Sequence, residues 1–235
     1  MRRLFPVPYR FLADDTRFRK WEWIRASVST TTADQRPESR RIDVDSIELL
    51  EEKLGTEHRW SERRKIIEPH VVDDFFDLEE RRKRSGESLG IIRPKGICEF
   101  DVTPAKQPKW NDEDYQKLAQ DGLFDTDEMK NRVVLQKVPF DYYYKYISGE
   151  NAYRHKVVDW EAGALYWKCI RKYGECGWLE KFRQRFQTEF EKKDLLFLMG
   201  TVHRFPDHWL IVGLIYPPKP QPEPESQQLG LGLGP

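Results

Sequence analysis

One segment near the carboxyl end, DLLFLMGTVHRFPDHWLIVGLIYPPK, constrains the fold more than any other part of the sequence. Two apolar runs lie on either side of turn-forming residues between Arg204 and Asp207, and this pattern predicts a β-hairpin. Both runs are apolar at consecutive positions, so both faces of each strand need cover from other elements. The segment therefore predicts two buried strands at the centre of a sheet.

Strand-like and helix-like segments alternate irregularly along the rest of the chain. Strands are predicted from about Trp21 to Thr30 and in IDVDSIELLEEKL, SLGIIRPKGICEFDVTP, VVLQKVPFDYYYKYI and RHKVVDW. Helices are predicted from Ser61 to Gly86 with a break or kink at Pro69, in NDEDYQKLAQDGLF, from about Glu161 to Tyr173, and in GWLEKFRQRFQTEFEKK. This order predicts an α+β fold, made of bent antiparallel β-sheet or an OB-like barrel with about four helices.

The chain divides by pattern into four predicted regions. Residues 1–57 are β-rich, 58–87 helical, and 88–216 α+β. Residues 217–235 form a tail rich in proline and glycine that lacks the composition to fold. Aromatic residues make up 13% of the chain, which provides enough large apolar side chains to build a core despite the high charge.

Charge, cysteine content and hydropathy exclude several classes of protein. Forty basic side chains balance forty acidic ones, so any binding to nucleic acid must be local rather than driven by net charge. The cysteines, Cys98, Cys169 and Cys176, have no CxxC spacing and indicate neither a disulfide framework nor a zinc site. The sequence has no signal peptide and no apolar run of about 18 residues, which predicts a cytoplasmic protein without membrane contact.

A local basic and aromatic segment lies at the amino end. Residues 1–41 contain ten basic and five acidic side chains, and six aromatic residues are interleaved with them. Arginine pairs with phosphate oxygens and exposed rings stack on bases, so the mixture suits single-stranded nucleic acid. The alternative is that the rings belong to the core and the arginines are solvated. The predicted nucleic-acid-binding residues are Trp21, Trp23, Arg25, Arg36, Arg40 and Arg41.

The segment DQRPESRR has two interpretations. In the first interpretation, three arginines on a turn that contains Pro37 form a phosphate clamp. In the second, Arg36 and Arg40 pair internally with Asp34 and Glu38. The sequence leaves both open.

A second candidate site lies in YRHKVVDWE. His155, Asp159 and Glu161 are residue types that form an acid/base pair or part of a divalent-metal site, which would suit a metal-dependent nuclease. Asp159 also stands where a predicted strand becomes a helix, so the alternative is that it caps the helix while Glu161 favours the helix dipole. EFEKKD offers Glu191 and Lys193 in E-x-K order, but at the end of a predicted helix, where such a nuclease needs a strand.

Seven blocks of the sequence together resemble a family of uncharacterised bacterial and archaeal proteins. The blocks are RLFPVPYRFL, RFRKWEWIRASV, DQRPESRR, SLGIIRPK, KVPFDYYYKYI, HKVVDWEAGALYW and FLMGTVHRFPDHWLIVGLIYPPK. Many relatives carry cysteines just before the position of His155, where this chain has SGENAYRH, so the resemblance supports a metal role for His155 less here than in those relatives. The amino-terminal block is also similar to dual OB-like modules of prokaryotic defence genes, and this similarity implies a sheet surface suited to single-stranded nucleic acid.

These observations predict a non-catalytic nucleic-acid-binding accessory protein, in the setting of a prokaryotic defence or mobile-element system. The expected partner is single-stranded nucleic acid, with membership of a protein complex as a further expectation. No cofactor and no metal are predicted. The alternatives are the metal-dependent nuclease that uses His155, Asp159 and Glu161, and a protein-interaction subunit without nucleic-acid contact.

Overall fold

The computed structural model describes residues 1–9, 12–111 and 137–220 of the chain. Twelve strands lie in these residues: β1 Arg3–Phe5, β2 Glu22–Arg25, β3 Val28–Ser29, β4 Ser39–Ile42, β5 Glu48–Lys53, β6 Val71–Val72, β7 Leu89–Ile92, β8 Gly96–Pro104, β9 Phe140–Ser148, β10 Asn151–Val157, β11 Leu196–Val202 and β12 Phe205–Ile215. The α-helices are α1 Glu57–Ile67, α2 Phe75–Ser85 and α3 Trp160–Arg183. A π-helical stretch, Gln184–Glu189, and a short 3-10 helix, Phe190–Lys192, extend α3.

Seven strands form one sheet in the order β6-β7-β11-β12-β10-β9-β8. The pairs β6–β7 and β10–β12 are parallel, and the other neighbours are antiparallel. The order has two ends, so the sheet is open and does not close into the OB-like barrel. The predicted α+β class is confirmed.

The carboxyl-terminal hairpin lies at the centre of this sheet, as its apolar pattern predicts. On one face of β11, Phe197 and Met199 pack into the main core beneath α2 and α3. On the other face, Leu196 and Leu198 contact a second cluster that includes Ile67 of α1. Cover on both faces explains why a hairpin without polar alternation is stable there.

The aromatic stripe that follows Gly174 belongs to the core, as predicted. Phe182, Phe186 and Phe190 are buried against rings of the sheet, and the Phe186 ring stacks on Phe100 at 4.9 Å between centroids. Gly174 has φ 68° and ψ −175°, which interrupts α3 between its two halves. The predicted pair of adjacent helices is therefore present as one helix with a break.

Proline and glycine divide the first helical region as the sequence indicates. Pro69 falls in a 3-10 turn, Glu68–His70, between α1 and β6, and Gly86 ends α2 in the left-handed conformation. The residues from His58 to Trp60 have positive φ, so right-handed helical geometry in α1 starts at Ser61.

The amino-terminal region differs from its predicted form. The expected strand from Trp21 to Thr30 is two shorter strands, β2 and β3, and Trp21 lies outside both with φ 71°. β2 pairs with β5, while β1, β4 and β3 form a separate three-stranded sheet over a small core of Leu12, Ile42 and Ile47. Ala26, in the segment between β2 and β3, packs against this core.

Three further predictions either differ from the structure or lie outside the described residues. The strands predicted around RPKG exist as β7 and β8, but they are not neighbours in the sheet. The helix predicted in NDEDYQKLAQDGLF lies outside the described residues. Of the predicted tail, Pro217 is buried and its carbonyl accepts a hydrogen bond from the Asp194 backbone N–H at 2.9 Å.

Candidate nucleic-acid interface

A row of exposed side chains follows the chain from β2 into β3. Trp23, Arg25, Ser27 and Ser29 are all exposed, Ala26 faces the small core, and Val28 is 51% exposed. Exposed and partly buried side chains therefore alternate from Trp23 to Ser27, as strand geometry requires, and the alternation ends at Val28. Trp23 exposes 43% of its surface, and a ring so exposed is free to contact another molecule.

The exposed row continues onto the three-stranded sheet. Ser29 of β3 pairs with Arg41 of β4, and Arg41 pairs with Phe5 of β1. Residues paired across strands share one face of a sheet, so Phe5 and Arg41 lie side by side there. Phe5 is 57% exposed, and Arg41 is exposed and forms no ion pair with any residue in the described ranges. Phe5 and Arg41 lie on the three-stranded sheet and Trp23 and Arg25 on the β2–β5 pair, and we call these four exposed residues together the outer strand face.

Arg25 of this face forms a weak, exposed ion pair. Its guanidinium pairs with Glu48 at 3.1 Å, but the two side chains are 72% and 62% exposed. Pairs of this kind contribute little, because water screens both charges. A phosphate can therefore compete for Arg25 at small cost.

Trp21 is not on this face. Its positive φ turns the side chain toward Trp60, with ring centroids 5.7 Å apart, and the Arg63 guanidinium lies 4.7 Å from the Trp21 ring. The ring also packs against the cluster under β11. Trp21 therefore holds the amino-terminal region to α1 and is not available for stacking on a base.

Arg36 makes an internal pair, as the second interpretation of DQRPESRR has it. Its guanidinium binds the Asp34 carboxylate through two nitrogens, at 2.8 and 2.5 Å, and donates to the Thr201 carbonyl at 2.6 Å. Arg36 holds the pKa of Asp34 well below its usual value, with a further hydrogen bond from Ser39. These contacts use three of the five N–H groups and direct the guanidinium toward Asp34 and β11.

Arg40 and Glu38 do not pair with each other. Arg40 donates to the carbonyls of Pro37 and Ser39 at 3.0 and 2.7 Å. Glu38 is buried and accepts from the Ser88 N–H and hydroxyl at 2.7 and 2.9 Å. The three arginines of the turn thus have separate roles, and Arg41 alone projects freely among them.

His155 lies in an aromatic cluster rather than in a site. Its Nδ1 is 2.9 Å from the Tyr146 hydroxyl, and its ring contacts Phe75 with centroids 4.7 Å apart. Burial lowers the pKa of His155 to about 4, against a smaller opposing effect of Glu79. The imidazole is therefore neutral at pH 7 and fills the space between α2 and the sheet.

Asp159 caps α3, and Glu161 lies beside it in a surface ion pair. The two Asp159 oxygens accept the backbone N–H groups of Glu161 and Leu214, each at 2.9 Å. Burial raises the pKa of Asp159, while these two bonds oppose the shift. Glu161 pairs with Lys20 at 2.7 Å. The carboxylates thus have separate structural partners.

No cluster of three histidine, cysteine, aspartate or glutamate side chains with metal-binding geometry occurs within residues 1–9, 12–111 and 137–220. Glu191 lies in the 3-10 helix, and Lys193 directly after it forms an isolated β-bridge with Pro218, so the two residues do not share a strand. The geometry that an E-x-K nuclease needs is therefore not formed by these two residues. Of the helices that the structure describes, none has the length and apolar character to cross a membrane.

Phe5 is one of the six interleaved rings but is not among the residues predicted to bind nucleic acid. Its exposure depends on the parallel pairing of β1 with β4, which joins residues 36 positions apart. Arg41 is among the predicted residues, and the sequence signal for Phe5 is its place in the same basic and aromatic segment. Only the register places the two side by side.

The comparisons with known proteins fit a chain with two regions. A family model described as a domain of unknown function, DUF8757, matches residues 72–231. A second, also described as a domain of unknown function, DUF8758, matches residues 1–69. The first match covers more than half of the chain, so the protein belongs to the DUF8757 family. No curated protein and no solved structure matches the chain.

Proposed function

We propose that the protein binds single-stranded nucleic acid through the outer strand face and is not itself a catalyst. One observation carries the proposal: an exposed ring and an exposed arginine occur together twice on this face, as Trp23 with Arg25 and as Phe5 with Arg41. Rings stack on bases whatever their sequence, and arginine binds the phosphates between them. The combination suits binding without strong sequence preference.

The spacing of the two pairs supports an extended ligand. Trp23 and Ser29 are six residues apart, so the two ends of the face are separated by at most about 20 Å along a chain that passes from one sheet to the other. Ser29 lies in the same row as Arg41 and Phe5. A single strand that spans this distance contacts both ring–arginine pairs, whereas a mononucleotide reaches one.

The resemblance of the amino-terminal block to defence modules supports, as part of this proposal, a role as an accessory subunit of a prokaryotic defence or mobile-element system. The nuclease alternative has no contact in the described residues that favours it, because Asp159 and Glu161 are engaged in capping and in an ion pair. A protein-interaction subunit is the outcome if the outer strand face binds no nucleic acid.

The test is a fluorescence-anisotropy titration of the full chain with labelled single-stranded RNA, single-stranded DNA and duplex DNA, over a salt series. We expect Phe5→Ala with Trp23→Ala to weaken single-strand binding by roughly tenfold or more, since each stacked base contributes about 1–3 kcal/mol. Arg25→Ala with Arg41→Ala should lower the salt slope by about 1.4, because each lost phosphate contact removes about 0.7.

Matched controls come from exposed residues elsewhere on the chain. Phe76→Ala with Tyr173→Ala removes two exposed rings, and Arg84→Ala with Arg183→Ala removes two exposed arginines. Both control proteins should bind like the original chain. Equal loss in the control and the outer-face variants, or no binding of any nucleic acid at low salt, would exclude the proposed interface.

A further inference from the structure

A cleft opens beside the carboxyl-terminal end of α1. It lies between α1, the turn from β7 to β8, the 3-10 helix with the segment after it, and Lys219 with Pro220, and its volume is about 720 Å³. Ligand sites in proteins commonly have volumes of about 300–1,000 Å³. The cleft is therefore large enough for a molecule the size of a nucleotide.

An ion network fixes one wall of the cleft. Arg64 binds Asp194 at 2.7 Å and Glu68 at 3.1 Å, and Arg93 binds the same two carboxylates at 3.1 and 2.7 Å. Arg64 also donates to the Pro218 carbonyl at 2.7 Å. The two guanidinium groups share two carboxylates and so fix the positions of α1, the end of β7 and the chain after β12 relative to one another. This wall of the cleft is therefore preformed.

Three lysines line the same cleft without such partners. Lys95, Lys193 and Lys219 form no ion pair within the residues that the structure describes, and Glu191 is the remaining acidic residue of the lining. The charges of the two arginines and two carboxylates in the network cancel. The three lysines outnumber Glu191, so the lining keeps an excess of positive charge. A concave surface with low-dielectric walls strengthens that field and attracts anions.

The cleft also has an apolar side. Ile97, Phe190 and Leu195 contribute to its lining. The Phe190 ring is stacked on Tyr216 at 4.6 Å between centroids, which fixes its orientation. Phe190 and Leu195 are buried, so the partly exposed Pro94 and Ile97 supply the apolar contact that this side offers to a ligand.

We infer that this cleft binds a phosphorylated small molecule, with Lys95, Lys193 and Lys219 holding the phosphates. Ammonium groups act as point charges that suit the several oxygens of a phosphate, while the arginines are already engaged. An excess of more than one positive charge favours a phosphate over a carboxylate, which carries a single negative charge. The inference does not depend on nucleic-acid binding at the outer strand face.

The test is calorimetric titration of the full chain at low salt with tripolyphosphate and, separately, with ATP. Both probes should bind, and Lys95→Gln with Lys193→Gln should weaken the binding of each by about tenfold or more. Glutamine keeps much of the side-chain length and removes the charge. Tighter binding of ATP than of tripolyphosphate, which has the same number of phosphates, identifies a contact of the nucleoside with the apolar side, and equal binding of the two identifies recognition of phosphate alone.

The control is Lys168→Gln with Lys172→Gln, which removes two exposed lysines from α3 and should leave both affinities unchanged. The cleft variant should also bind single-stranded nucleic acid as the original chain does, which separates this inference from the proposed function. No binding of either probe, or binding that survives in the cleft variant, would overturn the inference. Loss of oligonucleotide binding in the cleft variant would overturn it as well, because the cleft would then belong to the nucleic-acid site.

Discussion

Asp159 illustrates at the scale of one residue how local chemistry and tertiary contact are combined. Its first oxygen caps α3 by accepting the Glu161 N–H, a local contact. Its second oxygen accepts the N–H of Leu214 in β12, which is 55 residues away. The carboxylate therefore joins the start of the helix to the central hairpin, and its 5% exposure leaves it out of reach of a substrate.

Replacing Asp159 tests this structural role. We expect Asp159→Ala to lower the free energy of unfolding by about 1–3 kcal/mol, because it removes a cap and leaves the buried Leu214 N–H without an acceptor. Glu161→Ala is the control and should change it by less than about 1 kcal/mol, since the Lys20 pair is partly exposed. Urea unfolding of the full-length variants measures both. An Asp159→Ala protein as stable as the original would mean that the cap contributes nothing.

At the scale of the element, the break in α3 depends on one glycine. Gly174 has φ 68° with an extended ψ, a combination that is almost restricted to glycine. The break lets Trp178 and Phe182 of the second half join the core that Tyr166 and Cys169 of the first half already contact. A continuous helix would have to direct its later turns along a different line.

We expect Gly174→Ala to destabilise the protein by about 1–3 kcal/mol, since the strain is in the backbone. A Cβ at this position meets no atom within 4 Å, so steric contact makes no contribution. Gly96→Ala is a matched control, because its added Cβ also meets nothing within 4 Å and its φ is not positive. Thermal unfolding followed by circular dichroism measures both variants. A similar small effect of the two substitutions would show that the break tolerates any residue.

At the scale of the whole molecule, the turn from Asp34 to Ser39 docks the amino-terminal region onto the large sheet. Arg36 donates to the Thr201 carbonyl, and Glu38 accepts two bonds from Ser88. Arg3 donates to the Ser88 hydroxyl at 3.1 Å and to its carbonyl at 3.2 Å. These contacts join the two parts of the chain that match separate family models.

The stability that the Asp34–Arg36 pair contributes should depend on pH. Arg36 keeps the pKa of Asp34 below its usual value in the folded protein, so the pair stabilises the fold fully above about pH 4, the ordinary pKa of aspartate. That contribution is lost as the pH falls from about 4 through the lowered pKa. Asp34→Asn should reduce stability at pH 7 by about 1–3 kcal/mol, and its difference from the original chain should shrink toward pH 2.

The control for the acid dependence is Asp14→Asn. Asp14 pairs with Arg17 at 2.9 Å, but its side chain is 94% exposed, so its replacement should give a small difference at any pH. Urea unfolding between pH 2 and pH 7 gives the three curves. A difference for Asp34→Asn that stays constant over this range would contradict the role of its charge.

Local pattern determined much of the architecture. The apolar hairpin, the stripe of Phe182, Phe186 and Phe190, and the breaks at Pro69 and Gly174 all follow from rules that act over a few residues. The α+β class follows from their order. The capping position of Asp159 is also a local feature, because a cap bonds to the first turn that follows it.

Tertiary structure alone decided which rings and arginines of the amino-terminal segment are exposed. Trp21 and Trp23 are two positions apart and have the same parity, yet a positive φ turns Trp21 against Trp60 while Trp23 faces solvent. Arg36 and Arg41 are equally basic, but Arg36 meets the Thr201 carbonyl 165 residues away and Arg41 meets none of the described carboxylates. Such contacts depend on distant parts of the chain, so sequence determined which residues can bind a ligand and the fold determined which of them are free to do so.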